Sequence, residues 1–313
     1  MEVVGGEERR ILVLTDGKAG HENQSKAFAR ALGCPFDLAR VSFRCRAAKA
    51  LSYLLDRIGV GCLGLLSGVG DVAALKTRGY AAVVGTGSGT FYAVKTLARR
   101  LGVKGGVVLY PRGYDLSTFD CILAPSFDRP PHAPNVVELP ANLVSADAEF
   151  YARGVAAFRE RTNAVPEVAV IVGGPNKCST MTAGWMRERL DEIFARPGAK
   201  AVTTSRRTPA DVEAVVDSYP WDYKLIYSRD SFNPIPAFVS LAKRLYVTAE
   251  STGMLSEACT SGSAEVVALD NLKPGPSKFR RFLESLREGG YVDGSRKVDL
   301  SEQFDSARRL MGL

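Results

Sequence analysis

The chain has 313 residues, 46% of them apolar and 24% charged, enough to fill sizeable cores and suited to about two domains. A formal charge of +7 favours anionic partners, but zinc-finger spacing and RNA-recognition motifs are missing, so nucleic acid is not an expected partner. Six scattered cysteines without a CxxC pair suggest reduced thiols in a cytoplasmic protein, and only two histidines, His21 and His132, exclude a multi-histidine metal site.

Met1–Arg10 is polar and reads as neither a signal nor a transit peptide. Ile11–Leu14 is a short apolar run expected to form a strand; a polar turn follows over Thr15–Gly20, then a helix over Asn23–Leu32. Leu51–Val69 is the longest apolar stretch, but Asp56, Arg57 and several glycines make it a poor membrane span. Further strands are expected at Ala81–Val84, Gly106–Leu109 and Cys121–Ala124, with a helix ending at Leu101. After a helix over Ala146–Arg159 the rhythm restarts, with strands at Glu167–Val172, Lys200–Thr203, Tyr223–Tyr227, Arg244–Thr248 and Glu265–Leu269. Helices are expected at Gly184–Phe194, from Ala210, at Pro236–Ala242 and through Cys259. Short apolar runs separated by helices read as buried parallel strands, so the fold class is α/β with two Rossmann-like, doubly wound domains facing across a cleft. The linker-like Glu160–Pro166 places a boundary between 1–160 and the second half.

Ligands of open α/β sheets bind beyond the carboxyl ends of the strands, and the distinctive polar clusters fall there. The first cluster runs from Asp16 to Ser25. Gly17 and Gly20 allow a tight turn, and Asp16, Lys18, His21, Glu22, Asn23 and Gln24 crowd around it. An imidazole with an ordinary pKa of about 6.5 suits a general base, with Asp16 or Glu22 sharing or orienting that work; the alternative is a capped turn. The second cluster, Gly85–Thr90 with Gly87, Ser88 and Gly89, offers backbone N–H groups to an anion, or is simply a tight turn for close packing.

In the third cluster, Ser205-Arg206-Arg207-Thr208-Pro209, Thr208 is expected to cap a helix with Pro209 in its first position. That places two guanidinium forks at a helix N-terminus, suited to a diphosphate, unless both are merely solvated. The fourth cluster has Ser251 and Thr252 capping a helix, with Glu257 placed either to accept ribose hydroxyls or to lie on a surface. Gly173-Gly174 opens the second half in the same manner and could add amides, or close a strand. Lastly, Arg44–Leu66 mixes Arg44, Arg46, Lys49 and Arg57 with leucines; it suits an acidic membrane surface, or a core-facing helix with solvated basic groups.

Together these stretches resemble the mitochondrial-fission "elongated mitochondria" family and its bacterial relatives. The matching pieces are Asp16-Gly17-Lys18 with Gly20 through Ser25, Phe119-Asp120 through Ala124-Pro125, Pro134-Asn135-Val136, Gly173-Gly174-Pro175, Ser205 through Pro209, Asn233-Pro234, and Val247-Thr248 with Ser251, Met254, Ser256, Glu257 and Ala258. The resemblance implies a GT-B-like architecture. Residues 1–160 would face an acceptor, 161–285 would bind a nucleotide-sugar donor, and 286–313 would return to the first domain. It implies that Arg206, Arg207 and Ser251 hold a diphosphate, that Glu257 holds ribose, and that Asp16 or His21 activates an acceptor hydroxyl. It implies no metal and no cofactor, the nucleotide-diphosphate sugar being a substrate. It also leads one to expect an arginine pair where Gly87-Ser88-Gly89 stands and an aspartate at Glu250.

The function expected is a glycosyltransferase acting on a cell-envelope or lipid-linked acceptor at the cytoplasmic membrane face, with peripheral membrane contact. The alternatives are a sugar-nucleotide epimerase or hydrolase of the same fold, and a non-enzymatic, membrane-associated scaffold related to organelle-fission factors.

Overall fold

A computed structural model describes residues 9–144 and 147–313; the polar N-terminal stretch read above lies, but for its last two residues, outside the described residues. The first unit begins β1 (Arg10–Thr15), α1 (Ala19–Ala31), β2 (Phe36–Arg40), β3 (Ser42–Phe43), α2 (Arg46–Arg57), β4 (Leu66–Ser67) and α3 (Val72–Lys76). It continues through β5 (Tyr80–Thr86), α4 (Phe91–Leu101), β6 (Lys104–Val108), β7 (Cys121–Pro125) and β8 (Val136–Leu139). The second unit comprises α5 (Ala148–Arg161), β9 (Val168–Ile171), α6 (Ala183–Phe194), β10 (Lys200–Thr203), α7 (Ala210–Asp217) and β11 (Tyr223–Leu225). Then come α8 (Ile235–Leu241), β12 (Arg244–Thr248), α9 (Thr252–Thr260), β13 (Glu265–Leu269) and α10 (Lys278–Glu288); α11 (Ser301–Met311) ends the chain.

The first sheet has six strands in the order β2-β1-β5-β6-β7-β8 and the second five in the order β11-β10-β9-β12-β13, all pairs parallel. Each is a Rossmann-like sheet with one reversal of strand order, at β1/β5 and at β9/β12. The central strands are buried on both faces, which is why they read as continuous apolar runs: Ile11–Leu14, Ala82–Val84, Ala169–Ile171 and Leu245–Val247 contain no charge. The edge strands β2 and β8 have no counterpart among the expected runs, because their burial is partial and their pattern weaker. Phe91, Tyr92, Val94 and Leu97 on α4 fill the first core, and Met186, Leu190 and Ile193 on α6 fill the second.

The division of the chain differs from the expected 1–160 boundary. The second unit takes up residues 140–142 and runs from 147 to Asp299 among the described residues, so α5 belongs to it. The reason is packing: Phe158 is fully buried against Tyr223 and Phe238, with ring centroids 4.7 and 5.9 Å away. Gly154 also lets α5 approach Pro236, where a methyl group would come within 2.5 Å of Pro236 Cβ. The C-terminal return starts later than residue 286. Helix α10 buries Phe282, Leu283 and Leu286 in the second unit, and only residues from Leu300 onward rejoin the first. There α11 packs along β6, β7 and β8, and Arg308 Nε donates to the Ala31 carbonyl at 2.8 Å.

Candidate functional sites

At the β1/β5 switch point the chain leaves β1 into Asp16-Gly17-Lys18 and enters α1 at Ala19, four residues earlier than Asn23. His21 therefore stands in the first helical turn instead of in a loop, and its Nδ1 lies 3.0 Å from Asp16 Oδ2 and 3.2 Å from Oδ1. The tautomer that donates from Nδ1 to the carboxylate leaves Nε2 as an acceptor, and Nε2 has no partner among the described residues.

Burial works to raise the Asp16 carboxyl, but the Lys18 ammonium at 2.8 Å, the His21 ring and the Lys18 backbone N–H together hold it below the ordinary carboxylate value. A carboxylate so held is a poor proton acceptor near neutrality, so Asp16 is the group that orients His21, and His21 is the base candidate. Glu22 points elsewhere: Lys26, one turn on, pairs with it at 2.6 Å and keeps its carboxyl low. Asn23 is exposed on α1, while Gln24 Oε1 is buried without a partner. Ser25 Oγ bonds Thr86 Oγ1 at 2.7 Å and ties α1 to the end of β5.

The glycines of the β5–α4 loop serve these side chains. A methyl at Gly87, which has a φ of +81°, would fall 2.4 Å from the His21 ring, and one at Gly89 would fall 2.7 Å from Asp16 Cβ. Moreover the Gly87 N–H already donates to the Val108 carbonyl at 3.3 Å, so the expectation that this residue presents a free amide to an anion is corrected. Two cations that local sequence did not assign also converge here. Lys49 on α2 donates to Ser88 Oγ at 2.9 Å, bringing positive charge to the loop where an arginine pair was expected. Arg40, at the end of β2, lies over Gly17: a methyl there would be 2.9 Å from Arg40 Nη2. Neither link leaves a local signal, since 39 residues separate Lys49 from Ser88.

At the β9/β12 switch point the second unit assembles a different set. The Gly173 N–H donates to Thr248 Oγ1 at 2.8 Å, and Thr248 Oγ1 donates to Glu250 Oε1 at 3.2 Å. Asn271 Nδ2 donates to Glu250 Oε2 at 2.8 Å. Glu250 is thus a buried tie between strand ends, and Gly173 is glycine because a methyl would fall 2.0 Å from Glu250 Oε1. The expected supply of a free amide at Gly173 is corrected by this bond.

Thr208 does not cap α7, which starts at Ala210 with Pro209 in the capping position. Its Oγ1 instead donates to the Gly173 carbonyl at 2.6 Å and accepts from the Ser205 N–H at 2.8 Å, closing the 205–208 turn onto the end of β9. Gly174 completes that seat: a methyl would lie 2.2 Å from the Arg207 carbonyl oxygen. Held on this turn, Arg206 and Arg207 are both exposed, and their side chains have no partner among the described residues. Two unpaired guanidinium groups on a braced turn offer bidentate donors to a phosphate.

Ser251 caps α9 as expected, its Oγ accepting from the Met254 N–H at 3.5 Å, with Thr252 in the first turn. Ser256 is buried and spent on structure: its Oγ donates to the Thr252 carbonyl at 2.7 Å and accepts from the Asn142 N–H at 3.0 Å. Glu257, further along α9, is largely enclosed. Burial pushes its carboxyl above the ordinary range against the lowering effect of Tyr151, whose hydroxyl donates to Oε1 at 3.2 Å. Tyr151, on α5, also shares a 2.8 Å hydrogen bond with Ser261 Oγ. A separate cavity of about 480 Å³ beside β13 contains Arg244, Glu265, Arg287 and Asp293, but these pair among themselves, at 2.5 Å for Arg244–Glu265 and 2.6 Å for Arg287–Asp293.

Two Rossmann-like sheets, each with polar loops gathered at its switch point, place the chain in the GT-B class of α/β folds. Solved structures agree. The chain is similar to a candidate UDP-N-acetylglucosamine 2-epimerase from Listeria monocytogenes, with 11% identity, a TM-score of 0.57, and coverage of 98% of this chain and 88% of that one. It is also similar to UGT2 of Phytolacca americana, solved with UDP-2fluoro-glucose and pterostilbene, with 10% identity, a TM-score of 0.51, and coverage of 100% and 95%. At such identities the likeness is one of fold. The chain belongs to the family described as mitochondrial fission ELM1, which matches residues 19–309. The mitochondrial fission protein ELM1 of Arabidopsis thaliana is 27% identical over 215 residues, 59% of this chain and 49% of the plant protein, so the chain spans about half the length of that relative.

Proposed function

We propose that the chain is a glycosyltransferase that takes a nucleotide-diphosphate sugar in its second unit and activates an acceptor hydroxyl with His21 of its first. The observation that carries this reading is the braced 205–208 turn, which presents Arg206 and Arg207 unpaired at the carboxyl end of β10. In the reaction, His21 Nε2 accepts the proton of the acceptor hydroxyl, whose oxygen bonds to the anomeric carbon. The bond from that carbon to the diphosphate oxygen breaks, and the diphosphate leaves with the bonding pair, stabilised by the two guanidinium groups. Asp16 holds the His21 ring and stabilises its protonated form. Ser251 and the start of α9 add N-terminal donors on the diphosphate side, and Glu257 accepts from ribose hydroxyls. The acceptor class proposed is a lipid-linked or envelope glycan, met at the inner face of the membrane; among the described residues no helix is long and apolar enough to cross one.

Calorimetric titration with UDP-, GDP-, ADP- and CMP-sugars tests the donor half: saturable binding to at least one is expected, and no binding to any would remove the reading. The likeness to the Listeria protein, named for a 2-epimerase, supports a second reading in which the same donor grip serves epimerisation or hydrolysis. Incubating the donor without acceptor separates the two, since only the second reading yields an epimer or free sugar. The plant relative's name supports a scaffold role in organelle fission. That role predicts a normal phenotype when His21 is replaced by Ala.

A further inference from the structure

Among the described residues seven large apolar side chains are exposed, and four of them fall between Leu51 and Val60. Leu51 is 41% exposed, Leu54 58%, Ile58 65% and Val60 46%. On α2 and its C-terminal cap the spacing of Leu51, Leu54 and Ile58 puts them on one face. The opposite face is the polar one. Ser52 Oγ bonds Tyr114 OH at 2.9 Å and donates to the Lys49 carbonyl at 2.7 Å. Asp56 forms a buried ion pair with Lys95 and accepts from the Asp115 N–H at 2.7 Å. Rolling the helix to hide its leucines would break that pair and strand buried charge, so the network enforces the apolar exposure.

Within residues 44–60 the exposed charge is all basic. Arg46 and Arg57, eleven residues apart, fall on the same edge of the helix, and Arg44 precedes it; the side chains of all three have no partner among the described residues. The one acidic residue of the segment, Asp56, is the buried one. An apolar stripe bordered by unpaired arginines and free of exposed carboxylate matches a lipid surface with anionic headgroups, apolar side chains entering the acyl boundary and guanidinium groups staying among phosphates.

We infer that α2 and the following Ile58–Val60 turn form a peripheral docking face for an anionic lipid bilayer. The same helix carries Lys49 inward to Ser88 in the loop beneath His21, so docking sets the first-unit site close to the lipid surface. The inference stands on α2 alone and does not depend on the nucleotide reading.

The test is sedimentation of the full chain with vesicles of phosphatidylcholine alone and of phosphatidylcholine mixed with phosphatidylglycerol. Binding is expected to the mixed vesicles only. The double variant Leu54→Ser/Ile58→Ser should weaken it by about tenfold or more, from the apolar area withheld from lipid. Arg46→Glu/Arg57→Glu should do the same, since each headgroup-proximal arginine contributes about fivefold. Neither variant should change the melting temperature or lipid-free nucleotide affinity. As a second measurement, the Leu54→Trp variant should show a blue shift in emission on adding mixed vesicles that the unaltered chain does not. The inference is overturned by failure to sediment with any vesicle, by sedimentation that neither double variant changes, or by an unshifted emission from the Leu54→Trp variant. It is also overturned if the chain is a dimer in solution that Leu54→Ser/Ile58→Ser dissociates, which would make the face a contact between copies.

Discussion

At the switch point of the first sheet Asp16 bonds both His21 and Lys18, and Lys49 bonds Ser88. At that of the second sheet the Arg206 and Arg207 side chains hold nothing, while the carboxylate Glu250 is buried beneath the loop. Both sites use glycine in the same way, as room for another part of the site: Gly87 for His21 and Gly89 for Asp16, Gly173 for Glu250 and Gly174 for the Arg207 backbone. On the proposed reading, the difference reflects two jobs given to one architecture. A base must be oriented before substrate arrives, so its partners are internal. A diphosphate grip must leave its donors unsatisfied until the ligand brings the acceptor oxygens.

The sharpest way to break the comparison is at the reacting group. His21→Ala should lower turnover of the nucleotide sugar by about a hundredfold to ten-thousandfold, with donor affinity unchanged by calorimetry. Equal loss of affinity and turnover would place His21 in donor binding instead. Next, Arg206→Ala or Arg207→Ala should each weaken nucleoside diphosphate binding by about tenfold to a hundredfold while leaving any binding of the nucleoside alone unaltered. A matched loss for the nucleoside would show that the turn, not the guanidinium, had failed.

A smaller effect is expected from the paired glycine substitutions. Gly87→Ala and Gly174→Ala should each cost about 1–3 kcal/mol in chemical denaturation, through backbone strain at the first and overlap at both. The first should impair turnover and spare nucleotide binding; the second should do the reverse.

The smallest effects are in pH dependence, and their signs differ between the units. Asp16 is lowered from its ordinary value of 3.8, so its contribution to stability is complete above that value and fades as pH falls through the lower folded one. Glu257 is raised from 4.5, so its contribution is complete below that value and fades as pH rises through the higher folded one. Melting curves across this range should therefore lose acid-side steepness in Asp16→Asn. In Glu257→Gln they should lose the decline with rising pH, so that this variant is relatively more stable at neutral pH.

The central strands were legible because burial on both faces demands a run of apolar residues, and β10 and β12 fall where the runs at Lys200 and Arg244 place them; the edge strand β13 falls at the run from Glu265. The polar clusters were legible because a parallel sheet delivers them to one end. Helix starts were less so. Lys18 gives α1 no side-chain cap, and nothing local shows that Ala19 rather than Asn23 begins it. At α7 the residue that looks like a cap, Thr208, is drawn away by the Gly173 carbonyl, a partner 35 residues distant. The assignment of α5 to the second unit likewise rests on Phe158 meeting Tyr223 and Phe238.

By itself, then, the sequence determined the α/β class, the succession of buried strands along the chain and the polar clusters that hold His21, Arg206, Arg207 and Ser251, since these follow from local periodicity and turn chemistry. Tertiary structure alone decided which of those groups are already paired. It spent Ser256 on the Asn142 N–H and the Gly173 amide on Thr248, and brought Lys49 to Ser88. It also decided that α2 should face inward with Ser52 and Asp56 and outward with Leu51 and Leu54. The physical reason is common to all of these: hydrogen bonds and ion pairs act over a few ångströms, and only the folded chain brings the distant partner within that reach.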